Sequence, residues 1–134
     1  MPEGVGYGPQ NTASVSDTNF NVLGNHLYAL NGGVDTGNQN VATTLFEAQT
    51  GNYYTKGWLR FTLDHISGDN VEVAVYFNDV IIWQEQSVSG YEGYTDWPLH
   101  IVIPPFTTVK LTGKNTASST GRRVFTSITG RIYK

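Results

Sequence analysis

The sequence predicts an all-β protein folded as an antiparallel sandwich of two sheets. Residues 53–65, 71–77 and 125–134 alternate between apolar and polar side chains, with the two-residue period of a strand that buries one face. Turn-forming residues separate short strand-like runs at intervals of about eight to twelve residues. No window shows sustained apolar residues at helical spacing. One flat sheet could not bury the inward faces of so many strands, so two packed sheets follow.

The composition fits one domain with polar but largely uncharged surfaces. Only 14% of the 134 residues are charged, against about 25% in an average globular domain. The net charge of −3 argues against electrostatic binding to nucleic acid, and no apolar stretch is long enough for membrane insertion. The chain has no cysteine, which excludes disulfides and thiolate metal sites.

Residues 1–17 are predicted to form an extended, flexible N-terminal arm, and the sandwich domain spans 18–134. Three glycines and two prolines within the first nine residues interrupt regular strand pairing. The arm is either a disordered tail or a segment that orders on a neighbouring subunit. In the second case Val5 and Tyr7 are its candidate anchors.

The strand-like runs are separated by recognisable turn chemistry. In chain order they are 20–23, 26–30, 41–48, 53–65, 71–77, 80–85, 99–103, 107–112 and 123–134. Asn31-Gly32-Gly33 accepts positive φ cheaply and is predicted to be a turn, and Asn78-Asp79 is predicted to be a tight hairpin. Pro98 is expected to open one strand and Pro104-Pro105 to end it, because proline donates no ladder hydrogen bond. Residues 87–97 and 113–121 are predicted to be loops.

The longest run, 53–65, divides cleanly into two faces. Leu59, Phe61 and Leu63 fall on the predicted core side, and Trp58 and Arg60 fall on the other. The terminal run is expected to be a packed strand that ties the C-terminal residues into a sheet.

No catalytic constellation is visible. His26, His65 and His100 lie beside no signature serine and do not have metal-ligand spacing. Eleven carboxylates make many pairs possible, so no particular pair indicates glycosidase chemistry. The sequence therefore predicts a protein that is not an enzyme and that has no catalytic residue, metal or cofactor.

Two groups of aromatic residues are candidates for binding. Tyr91, Tyr94 and Trp97 share the predicted loop 87–97, where they form either a sugar-stacking platform or an aromatic cap on the end of the sandwich.

The second group consists of Trp58, Tyr76 and Tyr133. Each lies opposite the predicted core side of its strand, where an isolated monomer would expose it. Exposed aromatic residues of this kind indicate an oligomer interface. The alternatives are that the faces are assigned the wrong way round, or that the N-terminal arm covers these residues.

The order of several short motifs resembles the C1q/TNF-like jelly rolls, and in particular the small trimeric jelly-roll proteins of bacteriophage and other virus particles. Gly51-Asn52-Tyr53-Tyr54 is similar to the family's strand start, and 71–77 with 80–83 is similar to its central hairpin. Residues 109–111 and 125–133 are similar to its last two strands, so the resemblance covers about 20–133. The chain differs in having Pro104-Pro105 where the family usually has Gly-Asp, and in having no collagen-like stalk.

The resemblance implies a single jelly roll that forms a homotrimer, with the C-terminal strand near the three-fold axis. Trp58, Tyr76 and Tyr133 would then meet a partner subunit. It also implies a location in the virion, as a capsid decoration, cement or vertex-spike protein whose N-terminal arm (Val5, Tyr7) attaches to other virion proteins. The alternative is the head of a viral fibre that binds a host receptor or a host-surface glycan through Tyr91, Tyr94 and Trp97.

Overall fold

The computed structural model describes residues 20–65, 71–86, 93–116 and 123–134. The strands in these ranges are β1 (Asn21–Leu23), β2 (His26–Asp35), β3 (Thr43–Gln49), β4 (Tyr54–His65), β5 (Val71–Phe77), β6 (Val80–Gln86), β7 (Gly93–Ile103), β8 (Thr108–Asn115) and β9 (Arg123–Tyr133). Within the same ranges, no helix has the length and apolar character needed to cross a membrane. The predicted N-terminal arm, with Val5 and Tyr7, lies outside the described residues.

The strands form two antiparallel sheets with a nested pairing pattern. One sheet has the order β1-β2-β9-β4-β7, and the other has the order β3-β8-β5-β6. β2 pairs with β9, β3 with β8, β4 with β7 and β5 with β6, as in a long hairpin rolled up on itself. This pairing is that of a single jelly roll. The predicted all-β, two-sheet antiparallel sandwich is confirmed.

The core lies between the two sheets and is built from alternate residues of the strands. Its fully buried large side chains are Leu27, Leu45, Phe46, Leu59, Phe61, Val71, Val73, Ile103, Leu111 and Ile128. Trp83 of β6 stacks on Phe61 with 5.7 Å between ring centroids, which ties the last strand of the four-stranded sheet to the core. The two-residue period read from β4 and β5 therefore identified the buried side of both strands.

β9 is the middle strand of the five-stranded sheet. It pairs with β2 on one side and with β4 on the other, through almost its whole length. Val124, Ile128 and Ile132 point into the core, and all three are buried. The prediction of a packed C-terminal strand is confirmed.

The turn predicted at Asn31-Gly32-Gly33 is wrong, because β2 runs through these residues to Asp35. Their backbone freedom serves a β-bulge: the register with β9 shifts here, and Gly33 has a φ of 108°. Asn31 is fully buried, and its side-chain amide donates a hydrogen bond to the carbonyl of Leu45 on the facing sheet. The polar residue thus links the two sheets instead of reversing the chain.

The predicted loop 87–97 is too long, because β7 begins at Gly93. Pro98 lies inside β7, opposite Arg60 of β4, and does not open the strand. β7 is the edge strand of its sheet among the described residues, where the missing N–H of a proline is tolerated. The prediction from Pro98 was wrong because an edge position is not visible in the local sequence.

The predicted loop 113–121 also begins too early. β8 continues to Asn115, which is fully buried, and Gly113 pairs with both Thr43 and Val73.

The hairpin at Asn78-Asp79 is confirmed, since both residues have the positive φ of a type I′ turn, 50° and 67°.

Replacing Gly57 by alanine should destabilise the fold, because Gly57 and Gly130 face each other where β4 and β9 approach closely. An added Cβ at Gly57 would overlap the carbonyl oxygen of Thr129. We expect Gly57→Ala to lower the free energy of unfolding by about 2–3 kcal/mol, as overpacked sites do. Denaturant titration measures this. Gly24→Ala is the control, since Gly24 has a φ of 62° but no atom within 4 Å of an added Cβ, and should cost about 1 kcal/mol. Equal losses would contradict the steric argument.

Deleting residues 129–134 should abolish cooperative thermal unfolding. The deletion removes buried Ile132 and the pairing of β9 with residues 54–58 of β4 and 26–28 of β2. Removing Lys134 alone is the control, because this residue is exposed and follows the end of β9. A truncated chain that keeps a sharp melting transition would show that β9 is not essential to the sandwich.

Candidate functional site

The structure brings two of the three predicted interface residues to one surface. Trp58 of β4 and Tyr133 of β9 point away from the core on the five-stranded sheet, with 54% and 43% of their surface exposed. Tyr76 is half-buried on β5, which belongs to the other sheet. All three lie opposite the core side of their strands, but Tyr76 shares no surface with Trp58 and Tyr133.

The predicted sugar-stacking group falls largely outside the described residues. Tyr91 lies outside them, as do the side chains of Tyr94 and Trp97. The backbones of Tyr94 and Trp97 belong to β7, opposite Asp64 and Phe61 of β4. Glycan binding by this group stays a prediction.

Large apolar side chains cover the outward side of the five-stranded sheet, and we call this surface the aromatic face. They are Leu23, Tyr28, Leu30, Tyr54, Trp58, Val102, Phe125 and Tyr133. Each is between 42% and 59% exposed, whereas its neighbours along the strand are mostly buried. An apolar patch of this extent on a monomer marks an interaction surface.

Ring contacts order the centre of the aromatic face. Trp58 meets His100 of β7 edge to face, with 5.2 Å between ring centroids. His26 and Tyr28 of β2 stack at 6.4 Å. Such contacts restrict the rings in the free protein, so less side-chain entropy is lost when a partner covers them.

Basic side chains lie over the aromatic rings of the same face. The Nζ of Lys56 is 5.3 Å from the centroid of the Tyr133 ring, and the Cζ of Arg131 is 5.8 Å from it. Arg123 approaches Phe125 at 6.0 Å in the same way. These cation–π contacts hold cationic heads close to the sheet.

Two shallow grooves cross the aromatic face. One, of about 540 Å³, is lined by Trp58, Arg60, Pro98, Ser127 and Thr129. The other, of about 470 Å³, has the Gly57–Gly130 pair among its lining residues, with His26, Lys56 and Tyr133 among its walls. The glycine backbone therefore forms part of the lining of the second groove.

The outward side of the four-stranded sheet has a different character. Lys114 pairs with Glu72 at 3.2 Å, and Glu47 lies opposite Lys110 in the strand register. Lys110 also lies 5.8 Å from the ring centroid of Tyr76. Positive charges on this sheet therefore have acidic neighbours.

The described residues show no arrangement suited to metal binding. They contain no group of three or more histidine or carboxylate side chains that could hold an ion. His26 and His100 lie on β2 and β7, with β9 and β4 between them. The side chain of His65 is outside the described set.

Sequence reasoning identified Trp58 and Tyr133 but missed the other members of the aromatic face. The run His26-Leu27-Tyr28-Ala29-Leu30 is apolar at most positions, so alternation could not tell its core side from its exposed side. The sequence places Phe125 and Val102 in strands but does not show which face of the sheet either residue occupies. The signal that could have found them is their register with β4, which depends on pairing between distant segments.

No protein-family model matches the chain, and no curated protein matches it. Among solved structures, it is similar to that of infectious bursal disease virus, Gx strain, with 14% identity, a TM-score of 0.42 and coverage of 77% of this chain and 32% of that chain. The structure of the Gt strain is 15% identical, with a TM-score of 0.41 and coverage of 79% of this chain and 30% of that chain. A mutant VP2 protein of the same virus, in derived T=1 particles, is 14% identical, with a TM-score of 0.41 and coverage of 78% of this chain and 32% of that chain. The chain spans about a third of the length of each of these chains.

Proposed function

We propose that this protein is a virion structural protein that works as a homotrimeric jelly roll, of the capsid decoration, cement or vertex-spike type. The observation that carries the proposal is the aromatic face, which places eight large apolar side chains on one side of one sheet. The virion role follows from the motif order that resembles trimeric virion jelly rolls. The proposal includes no enzymatic activity.

The size of the aromatic face suits a stable contact between subunits. Four strands of 10 to 12 residues at the usual spacing present a surface of roughly 19 Å by 36 Å, and the three-residue β1 adds about 50 Å². That is close to the ~800 Å² that each partner contributes to a standard protein–protein interface. One face of one sheet is therefore large enough to hold an assembly together.

Self-association also explains how the protein would attach firmly to a virus particle. A trimer presents three identical copies of any surface that contacts the capsid, so weak single contacts combine into strong attachment. β9 lies in the middle of the aromatic face, which agrees with the position near the three-fold axis that the resemblance implies. Trimer formation is thus the step by which the jelly roll would carry out the proposed role.

Truncating the aromatic face should weaken trimer formation. Large interface aromatics typically contribute more than about 1–2 kcal/mol each, so Trp58→Ala or Tyr133→Ala should lower the association constant about tenfold or more. Sedimentation equilibrium measures this. Tyr76→Ala is the matched control, because Tyr76 also carries a lysine over its ring but lies on the other sheet. A wild-type protein that is monomeric at all concentrations, or equal effects of the three variants, would contradict the proposed interface.

The virion role has its own test. The protein should co-purify with intact particles of the virus that encodes it, and antibodies against it should label their surface. Mature particles purified with no copy of the protein bound would contradict a structural role.

A further inference from the structure

A basic row crosses the aromatic face at right angles to the strands. His26 of β2 lies directly opposite Arg131 of β9, and Arg131 lies directly opposite Lys56 of β4. All three side chains are exposed. Directly opposite residues on neighbouring strands have Cβ atoms about 5 Å apart, and like charges in that arrangement repel each other. The sheet therefore holds Arg131 and Lys56 together as a repulsive pair, with the His26 imidazole beside Arg131.

Among the described residues, the register neighbours of the basic row supply no carboxylate. The row ends at Leu23 on β1 and at Val102 on β7. Tyr133 and Tyr54 flank it on one side. On the other side the flanking residues are Tyr28, Thr129, Trp58 and His100. Every register neighbour of the row is thus apolar, aromatic, hydroxylic or basic.

The ring of Tyr133 holds two of the basic groups together. Lys56 and Arg131 both lie within 5.8 Å of its centroid, at 5.3 Å and 5.8 Å. An ammonium offers three hydrogen-bond donors and a guanidinium offers five, so the row carries many donors beside a single ring. The groove of about 470 Å³ includes His26 and Lys56 among its lining residues, so a ligand in this groove can reach those two side chains.

We propose that the basic row is a binding site for a multivalent oxyanion, a phosphate or sulfate group that is either free or carried on a sugar. Arginine and lysine bind such groups through charge-assisted hydrogen bonds, and the arginine fork matches two oxygens at once. A bound oxyanion supplies the negative charge that the neighbouring positions lack. In the free subunit, Trp58 and Tyr133 flank the row and offer rings on which a sugar stacks.

The second part of the proposal, which rests on the proposed function, is that the bound oxyanion promotes trimer formation. Covering the aromatic face removes Lys56 and Arg131 from water, and burial of unpaired charges is costly. An anion bound in the row lowers that cost. Since a ligand that binds the assembled state more tightly than the free subunit shifts the equilibrium towards assembly, phosphate should strengthen self-association.

Binding is tested first by NMR titration of the ¹⁵N-labelled full chain with inorganic phosphate, against sodium chloride at matched ionic strength. We expect phosphate-specific shifts that cluster at His26, Lys56 and Arg131. The double variant Lys56→Gln and Arg131→Gln should weaken binding at least about tenfold, since each lost charge-assisted contact is strong. Lys110→Gln is the control, because Lys110 also lies over a tyrosine ring but has Glu47 opposite it. Absence of phosphate-specific shifts at the row would overturn the site.

A sulfated disaccharide as a second probe distinguishes the two sources of the oxyanion. A sugar-borne sulfate should also shift the resonances of the Trp58 indole and bind more tightly than inorganic sulfate. A free ion should leave the Trp58 indole unchanged, with equal affinity for both probes.

Sedimentation in phosphate and in chloride then tests the link to assembly. At a phosphate concentration about ten times the dissociation constant of the assembled state and well below that of the free subunit, linkage predicts an association constant raised about tenfold per occupied site. A chain that stays monomeric in both buffers but shows the shifts would reject the proposed trimer and retain the anion site. A trimer indifferent to phosphate, with carbodiimide cross-links between Lys56 and a carboxylate of a neighbouring copy such as Asp79 or Glu85, would reject the promotion of assembly by an anion.

Discussion

The double pairing of β9 is the constraint on which the rest of the structure depends. With β2 on one side and β4 on the other, β9 sends Val124, Ile128 and Ile132 into the core. The alternate residues of the same strand, including Arg131 and Tyr133, form the middle of the aromatic face. A register slip of one residue would exchange these two sets, so the core and the exposed surface are fixed together. The close Gly57–Gly130 contact opposes such a slip, because neighbouring positions carry side chains that would not fit there.

Local patterns in the sequence were enough to predict the fold class and most of the strands. In β4 and β9 the two-residue alternation is clean, because one side faces the core and the other faces solvent. Asn78-Asp79 was recognisable as a hairpin since its two residues tolerate positive φ. The predictions that failed concerned glycine and proline residues in roles that are less common for these residue types. Gly33 supplies a bulge inside β2, and Pro98 occupies an edge strand, and both roles depend on which strands are neighbours.

The candidate site was predictable only in part, for the same reason. The exposed positions of Trp58 and Tyr133 follow from alternation within one strand each. That they share a face with each other and not with Tyr76 follows from the strand order, which links segments far apart in the chain. The basic row is less visible still, because His26, Lys56 and Arg131 are distant in sequence and meet only through two separate registers. Among the charges of an acidic chain, these three residues show no pattern until the sheet is assembled.

The registers of β4 and β9 divide the exposed face into bands that run across the strands. Tyr54 and Tyr133 form one band, the basic row forms the next, and the band of Trp58 and His100 follows. Successive bands are about 7 Å apart, because outward side chains recur every second residue. A partner surface displaced by one band along the strands would place its apolar side chains over cations, and any acidic groups over rings. The penalty for such mismatches is a source of specificity separate from the area buried. The banding therefore favours one alignment between subunits, which a uniformly apolar sheet face of the same size would not do.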